Sequence, residues 1–296
     1  MLTVSGNTGT MHYRVGTSGS WTTTIPTRIN AGSDTIYYYM DASTNYTARG
    51  SSSSPWGSVT GTVNKINPTI TNPTAKSGLI YNGSEQTLWN SGSNTTPGSF
   101  SYGKGLNANT YSSSWSFTPT DATNYNSLSG SANITIAKVT PTINPKPTAK
   151  TNLVYSGSAQ VLANAGTTNW GTLKYSLDNS TYSTTIPTGT NATTYTVYYR
   201  VDGDSNINDV AAASFNVTIA KADPTYTAPT ANNQPFNNSA QSLLNAGSTS
   251  HGTIKYSSNN SSWSTTIPTG TNAGTYTSYW KLEGDSNHNS VNSTSI

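Results

Sequence analysis

Few side chains in this sequence can do chemistry. The three histidines, His12, His251 and His288, are expected to be dispersed over different repeats, with no shared site and no carboxylate at a matching position. Only 11 carboxylates stand among 296 residues, which leaves little material for the paired acids of a glycoside hydrolase. The densest acidic stretch is Asp202-Gly-Asp204-Ser-Asn206-Ile-Asn208-Asp209. Oxygen ligands at alternate positions suit Ca2+, so Asp202, Asp204, Asn206 and Asn208 are the calcium candidates. The competing reading is that Asp, Asn and Gly simply make a turn. Trp21, Tyr198, Trp263 and Tyr279 are candidate glycan-binding platforms, set among Asn and Thr. Against that, cross-strand aromatic pairs stabilise a sheet surface by roughly 0.2–1 kcal/mol each without any ligand. Lys174 and Lys255 fall at outward strand positions, which disfavours an internal Lys–Asn crosslink needing a buried lysine. No catalytic set and no cofactor other than calcium emerges, so the chain reads as non-enzymatic.

These residues are carried by a repeated β element. Pro187–Val201 recurs as Pro268–Leu282 and, in weaker form, at Asn30–Met40 and Asn107–Phe117. In each copy an Asn-Ala turn feeds an alternating aromatic run. Read with period two, one face carries Tyr195, Val197, Tyr199 and Val201, and its counterpart Tyr276, Trp280 and Leu282, as in half-buried strands. A Lys-x-x-Pro-Thr motif ending at Pro68, Pro141 and Pro224 marks the boundaries, giving a repeat of roughly 75 to 85 residues. Within it recur a Tyr-x-Gly-Ser-x-Gln turn (Tyr81–Gln86, Tyr155–Gln160, Phe236–Gln241 as a variant) and a Gly-(Thr/Ser)-x-x-Tyr strand. An aromatic-led Thr-Thr-Ile-Pro-Thr segment follows at Trp21–Thr27, Tyr182–Thr188 and Trp263–Thr269. The second copy lacks that last segment, as expected of an edge hairpin whose loss leaves the core intact.

Four modules are expected: 1–66 lacking its opening strands, 67–139 lacking the edge hairpin, 140–222 complete, and 223–296 with a truncated closing strand. Six or seven short strands per repeat is the pattern of an immunoglobulin-like sandwich. Proline-bearing boundaries without Gly/Ser linkers predict a semi-rigid, elongated rod of tandem modules, each roughly 35–40 Å long. Both ends fall inside the repeat register, which points to a piece of a longer array. The alternative is a complete short protein whose open ends pair with neighbouring copies by strand addition.

Composition narrows the partners. Only 8% of residues are charged, against roughly 25% in ordinary soluble domains. The net charge of +3 is scattered, so no nucleic-acid surface is expected. No apolar run approaches the roughly 20 residues of a membrane span. Cysteine is absent, which excludes disulfides and suits an exported chain. Tyrosine (19) and tryptophan (7) outnumber phenylalanine (4) and alternate with Thr and Val, a composition for pleated sheet rather than for disorder.

Tyr155-Ser-Gly-Ser-Ala-Gln160, Gly171-Thr-Leu-Lys-Tyr175, Thr185-Ile-Pro-Thr-Gly-Thr-Asn191, Gly203-Asp-Ser-Asn206 and Val217-Thr-Ile-Ala-Lys221 together resemble the bacterial Ig-like repeats of the MBG type. The likeness is close over 141–296, recognisable over 67–140 and partial over 1–66. Such modules stand in tandem in surface proteins of bacteria, and similar ones decorate phage virions. The resemblance therefore implies an all-β, extracellular, cell-surface role in spacing or adhesion, with virion surface as the alternative. It implies further repeats or copies as partners, with a surface glycan or protein as a second class. It implies no catalytic residues.

Overall fold

The computed structural model describes residues 9–296, and every regular element in them is a β-strand. The opening residues of the 1–66 segment thus lie outside the described part. The chain forms two compact units, Met1–Ala137 and Lys138–Ile296, and each holds two of the sequence repeats.

In the first unit, β1 (Met11–Val15), β2 (Gly32–Met40) and β3 (Gly57–Val63) form an antiparallel sheet in that order. The second repeat contributes β4 (Leu79–Ile80), β5 (Gly98–Tyr102), β6 (Asn109–Pro119) and β7 (Leu128–Ala137). Their spatial order is β5-β6-β7-β4, antiparallel except for the parallel β7/β4 pair. In the second unit β8 (Leu153–Val154), β9 (Thr172–Ser176), β10 (Thr194–Asp202) and β11 (Val210–Ala220) repeat this topology as β9-β10-β11-β8, with β11/β8 parallel. The fourth repeat gives β12 (Gly252–Ser257), β13 (Tyr279–Gly284) and β14 (Val291–Ser295) in sequence order.

The aromatic alternation places its residues as expected. On β10, Val197, Tyr199 and Val201 are buried and the residues between them are half-buried. They pack with Leu162, Tyr175, Val217 and Ile219 into one core. The second repeat builds its core from Leu88, Trp89, Trp115, Phe117, Ile134 and Ile136, and the fourth from Leu244, Ile254, Tyr256, Trp280 and Leu282. The register keeps the same partners facing: Phe100 with Phe117, Leu173 with Val201, and Ile254 with Leu282.

Two tyrosine contacts recur and pin backbone to core. The Asn-Ala turns are closed by the tyrosine four residues on. Tyr111 Oη donates to the Asn107 carbonyl (3.0 Å), Tyr195 Oη to that of Asn191 (3.1 Å) and Tyr276 Oη to that of Asn272 (2.9 Å). Gly105, Gly189 and Gly270 lie so close to these rings that an added Cβ would stand 2.7–2.8 Å from them. A second tyrosine per repeat accepts a glycine amide at 3.1 Å: Tyr102 from Gly92, Tyr175 from Gly166, Tyr256 from Gly247. The Tyr-x-Gly-Ser-x-Gln landmark is also a closed turn. Gln86 Nε2 donates to the Ile80 carbonyl and Gln160 Nε2 to that of Val154. Gly83 and Gly157 there hold φ of +78°, a left-handed conformation that glycine adopts without steric cost.

The missing segment of the second repeat has a plain structural reading. In the other three repeats it returns to the edge of its sheet through one antiparallel bridge, Tyr13 with Thr22, Tyr175 with Ser183 and Tyr256 with Ser264. It adds only a partly buried isoleucine to the core, Ile186 or Ile267. In the second repeat Trp89 stands opposite Ala75, where the third has Ala163 opposite Ala149. The bulkier side chain fills the second core, and its Nε1 donates to buried Ser113 Oγ at 3.0 Å.

One strand is shorter than its alternation predicts. Tyr276 is expected on the core face of the fourth repeat, but it is 42% exposed and β13 begins only at Tyr279. Its Oη still closes the Asn272 turn, as that of Tyr195 closes the Asn191 turn, and a groove of about 320 Å3 lies beside Leu243, Tyr276 and Ser278.

Candidate functional site

Two features recur from repeat to repeat outside the cores, and a third occurs once. The first is a contact between each boundary lysine and the Asp/Asn loop of the repeat that follows it. Lys65 Nζ donates to the Ala122 carbonyl (2.6 Å), Lys138 Nζ to that of Asp204 (2.6 Å) and Lys221 Nζ to that of Asp285 (2.9 Å). The residue after each lysine forms a parallel bridge to the same loop: Ile66 with Tyr125, Val139 with Ile207, Ala222 with His288. The Asn-Ala turn of the preceding repeat reaches the loop as well. The Ala31 amide donates to Asn124 Oδ1 (2.7 Å) and the Ala192 amide to Asn287 Oδ1 (2.8 Å). The residue before each proline, Asn67, Thr140 or Asp223, is kept out of the helical region.

The loops are preorganised by their leading aspartates. Asp121 Oδ1 accepts the amides of Thr123 and Asn124, and Asp285 Oδ1 accepts that of Asn287. The Asn124 side-chain hydrogen bond, then these amides, hold the Asp121 carboxyl below the usual carboxylate range. In the third repeat Asp204 Oδ1 accepts the amides of Asn206 and Ile207. This bears on the calcium candidates. Asp202 lies outside the turn and is bound instead by Lys174 Nζ (2.8 Å) and Arg200. Asn208 Nδ2 donates to Thr140 Oγ1. The four candidates are thus spread over a salt bridge, a turn and a contact to Thr140.

The second recurrent feature is an aromatic–cation–acid cluster on the outward sheet face. The Arg200 guanidinium lies over the Tyr182 ring (4.1 Å) and Lys281 Nζ over Trp263 (4.8 Å). Each cation sits beside an acid shared with the facing strand: Asp202 with Lys174, and Glu283 with Lys255 (2.5 Å) and Lys281 (2.8 Å). The lysine hydrogen bonds are the leading cause that lowers the Asp202 and Glu283 carboxyls below their ordinary values. In the first repeat Trp21 meets Tyr39 edge-on at 4.6 Å and carries Arg14 at 4.7 Å, while His12 stacks on Tyr39 and lies 2.7 Å from Asp41 Oδ2. Trp21 and Trp263, read as sugar platforms, therefore each carry a cation of their own chain. Tyr198 and Tyr279 share the outward face with Arg200 and Lys281 by strand alternation, each flanked by serines in register. An open groove of about 490 Å3 borders Tyr182, Arg200 and Asp209. The outward placement expected of Lys174 and Lys255 is observed.

The third feature corrects a sequence expectation. His251 and His288 are not dispersed: both belong to the 223–296 segment and their rings stack at 4.0 Å. Asp285 joins them, with Oδ1 2.8 Å from His288 Nδ1. Candidate ligand atoms of all three lie within 4.8 Å of one another. The pleat brings this about, because His251 immediately precedes β12 and the loop after β13 closes over it, with the Asp285 amide donating to the His251 carbonyl. Comparing repeats position by position is the signal that would have found the cluster. His251 precedes Gly252 as Trp170 precedes Gly171, and His288 follows Asp285 as Ile207 follows Asp204.

No family model matches this chain, and no curated protein matches it. No helix among the described residues is long and apolar enough to cross a membrane.

Proposed function

We propose that this chain is a tandem array of immunoglobulin-like modules that works without catalysis, as an extracellular spacer holding out or presenting a binding region of a larger bacterial surface protein. The observation that carries this reading is the boundary-lysine contact, made with the same geometry at Lys65, Lys138 and Lys221. A hydrogen bond from a lysine to a backbone carbonyl is independent of what the loop side chains are. It therefore suits a joint that must recur while sequences drift. Within each unit, at Lys65 and at Lys221, the joint adds a parallel bridge and a side-chain contact from Asn124 or Asn287 to the preceding Asn-Ala turn. Individually such bonds contribute about 1 kcal/mol net. Several at one joint oppose bending of one module on the next within a unit.

The immunoglobulin-like assignment is supported by the repeated four-stranded sheet and by the tyrosine that closes its own turn four residues back. An adhesin that binds sugar through Trp21 or Trp263 is the weaker reading, since those rings already carry cations. Single-molecule extension tests the modular claim. Successive unfolding steps should each release roughly 250–300 Å, the contour of about 80 residues at 3.3–3.6 Å each. One cooperative step for the whole chain would contradict it.

A further inference from the structure

We infer that His251, Asp285 and His288 form a binding site for a divalent transition-metal ion of the Zn2+ class, placed at the loop that Lys221 engages. The inference goes beyond the spacer reading and does not depend on it. Three observations converge. The donor set, two imidazoles and one carboxylate, is the set Zn2+ accepts, and it does not suit Ca2+ or Mg2+, which require oxygen. The donor atoms lie within 4.8 Å of one another. Ligands of a tetrahedral Zn2+ stand about 3.3 Å apart, given bonds of about 2.0–2.1 Å, so side-chain rotations of about an ångström close the set on an ion and leave a position for water. Finally, the matching positions in the third repeat are Trp170 and Ile207. Apolar residues therefore serve this place in the fold, and packing alone does not call for two histidines.

The surroundings fit a ligand role. His288 is 8% exposed, and its ring meets Tyr155 edge-on at 5.2 Å, which limits its rotation. His251 is half-buried and reachable, with its amide tied to Thr249 Oγ1. Asp285 is exposed, and its hydrogen bond to His288, then the Asn287 amide, lowers its carboxyl below the ordinary value. The backbone on either side of His288 is tied to Ala222, whose amide donates to the Asn287 carbonyl (3.0 Å) and whose carbonyl accepts the Asn289 amide (2.8 Å). An ion held by His251, Asp285 and His288 would therefore fasten the loop that carries this joint.

The test is calorimetric titration of the full chain with Zn2+ near neutral pH, with Ca2+ as a second titrant and the d–d absorption of Co2+ as a spectroscopic reporter. One equivalent of Zn2+ should bind, Ca2+ should not, and Co2+ should develop bands with nitrogen ligation. His251→Ala and His288→Ile should each weaken Zn2+ binding by at least about tenfold. His12→Ala, which removes the histidine beside Asp41, should not. His288→Ile restores the residue of the third repeat and keeps the loop packed, and near-ultraviolet circular dichroism checks this. Hydrogen exchange at Asn289 should slow on adding Zn2+ in the wild type only. Absence of Zn2+ binding by the wild type, or binding that survives both His251→Ala and His288→Ile, overturns the assignment.

Discussion

Replacing Tyr175 by phenylalanine isolates one hydroxyl at the centre of the third repeat. Tyr175 is 5% exposed, faces Tyr199 across the β9/β10 pair, and its Oη accepts the Gly166 amide at 3.1 Å. Gly166 is packed closely here, since an added Cβ would stand 2.5 Å from Pro147 and 2.8 Å from the Pro145 carbonyl. Phenylalanine keeps the ring and its buried area but leaves that half-buried amide without its acceptor. A neutral hydrogen bond contributes about 0.5–1.5 kcal/mol net, and a stranded buried donor costs about 1–3. Since Gly166 is only half-buried, about 1 kcal/mol is expected for Tyr175→Phe. Tyr175→Ala also opens a cavity and should cost about 3–5 kcal/mol. Tyr102→Phe and Tyr256→Phe remove the same bond from Gly92 and Gly247 and should each cost a similar amount in their own repeats. Several cores in one chain make a single melting curve a poor readout. Native-state hydrogen exchange, read peptide by peptide, assigns each loss to its repeat. A Tyr175→Phe loss below about 0.3 kcal/mol would refute the bond's contribution. A loss equal to that of Tyr175→Ala would mean the ring does not pack as described.

Two further outcomes follow from the same geometry. Asp178 Oδ1 accepts Ser176 Oγ and the amides of Ser180 and Thr181, which pulls its carboxyl well below the usual value, the Ser176 bond leading. A lowered folded-state pKa means the turn's stabilisation is present above the unfolded value of about 4 and is lost as pH falls below it. Asn259 makes the matching bonds with Ser257, Ser261 and Ser262 without titrating. Asp178→Asn should therefore keep the turn and abolish the acid-side shift of the Ser180 and Thr181 amide resonances; a wild-type midpoint near 4 would contradict this. Trp89→Ala should destabilise the second repeat by about 3–5 kcal/mol, since it empties the place of a 5%-exposed indole and strands Ser113. Denaturation in which only the second repeat's peptides lose protection checks it, and a loss under about 1 kcal/mol would contradict the filling role of Trp89.

The strands and cores were legible because their signal is local. Tyr195, Val197, Tyr199 and Val201 alternate in one stretch, and the Asn-Ala-x-Thr-Tyr turn sits beside them. Gly103-Lys104 runs directly from β5 into the segment that pairs with Gln86–Thr87, so the missing hairpin could be placed at an edge from sequence spacing. The joints were legible only in part. Lys65, Lys138 and Lys221 stood out as boundary markers, but their acceptors are backbone carbonyls one repeat further on, and a carbonyl leaves no trace in residue type. The histidine cluster is not legible in the sequence for a related reason. His251 and His288 replace a tryptophan and an isoleucine, so neither belongs to the pattern that defines the repeat.

The most direct test of the central claim is small-angle X-ray scattering from the intact chain. If the modules of the proposed spacer stand end to end, each roughly 35–40 Å long, the maximum dimension is about 150 Å and the radius of gyration about 40 Å. A radius near 19 Å, the value for a compact globule of this length, would contradict the spacer account.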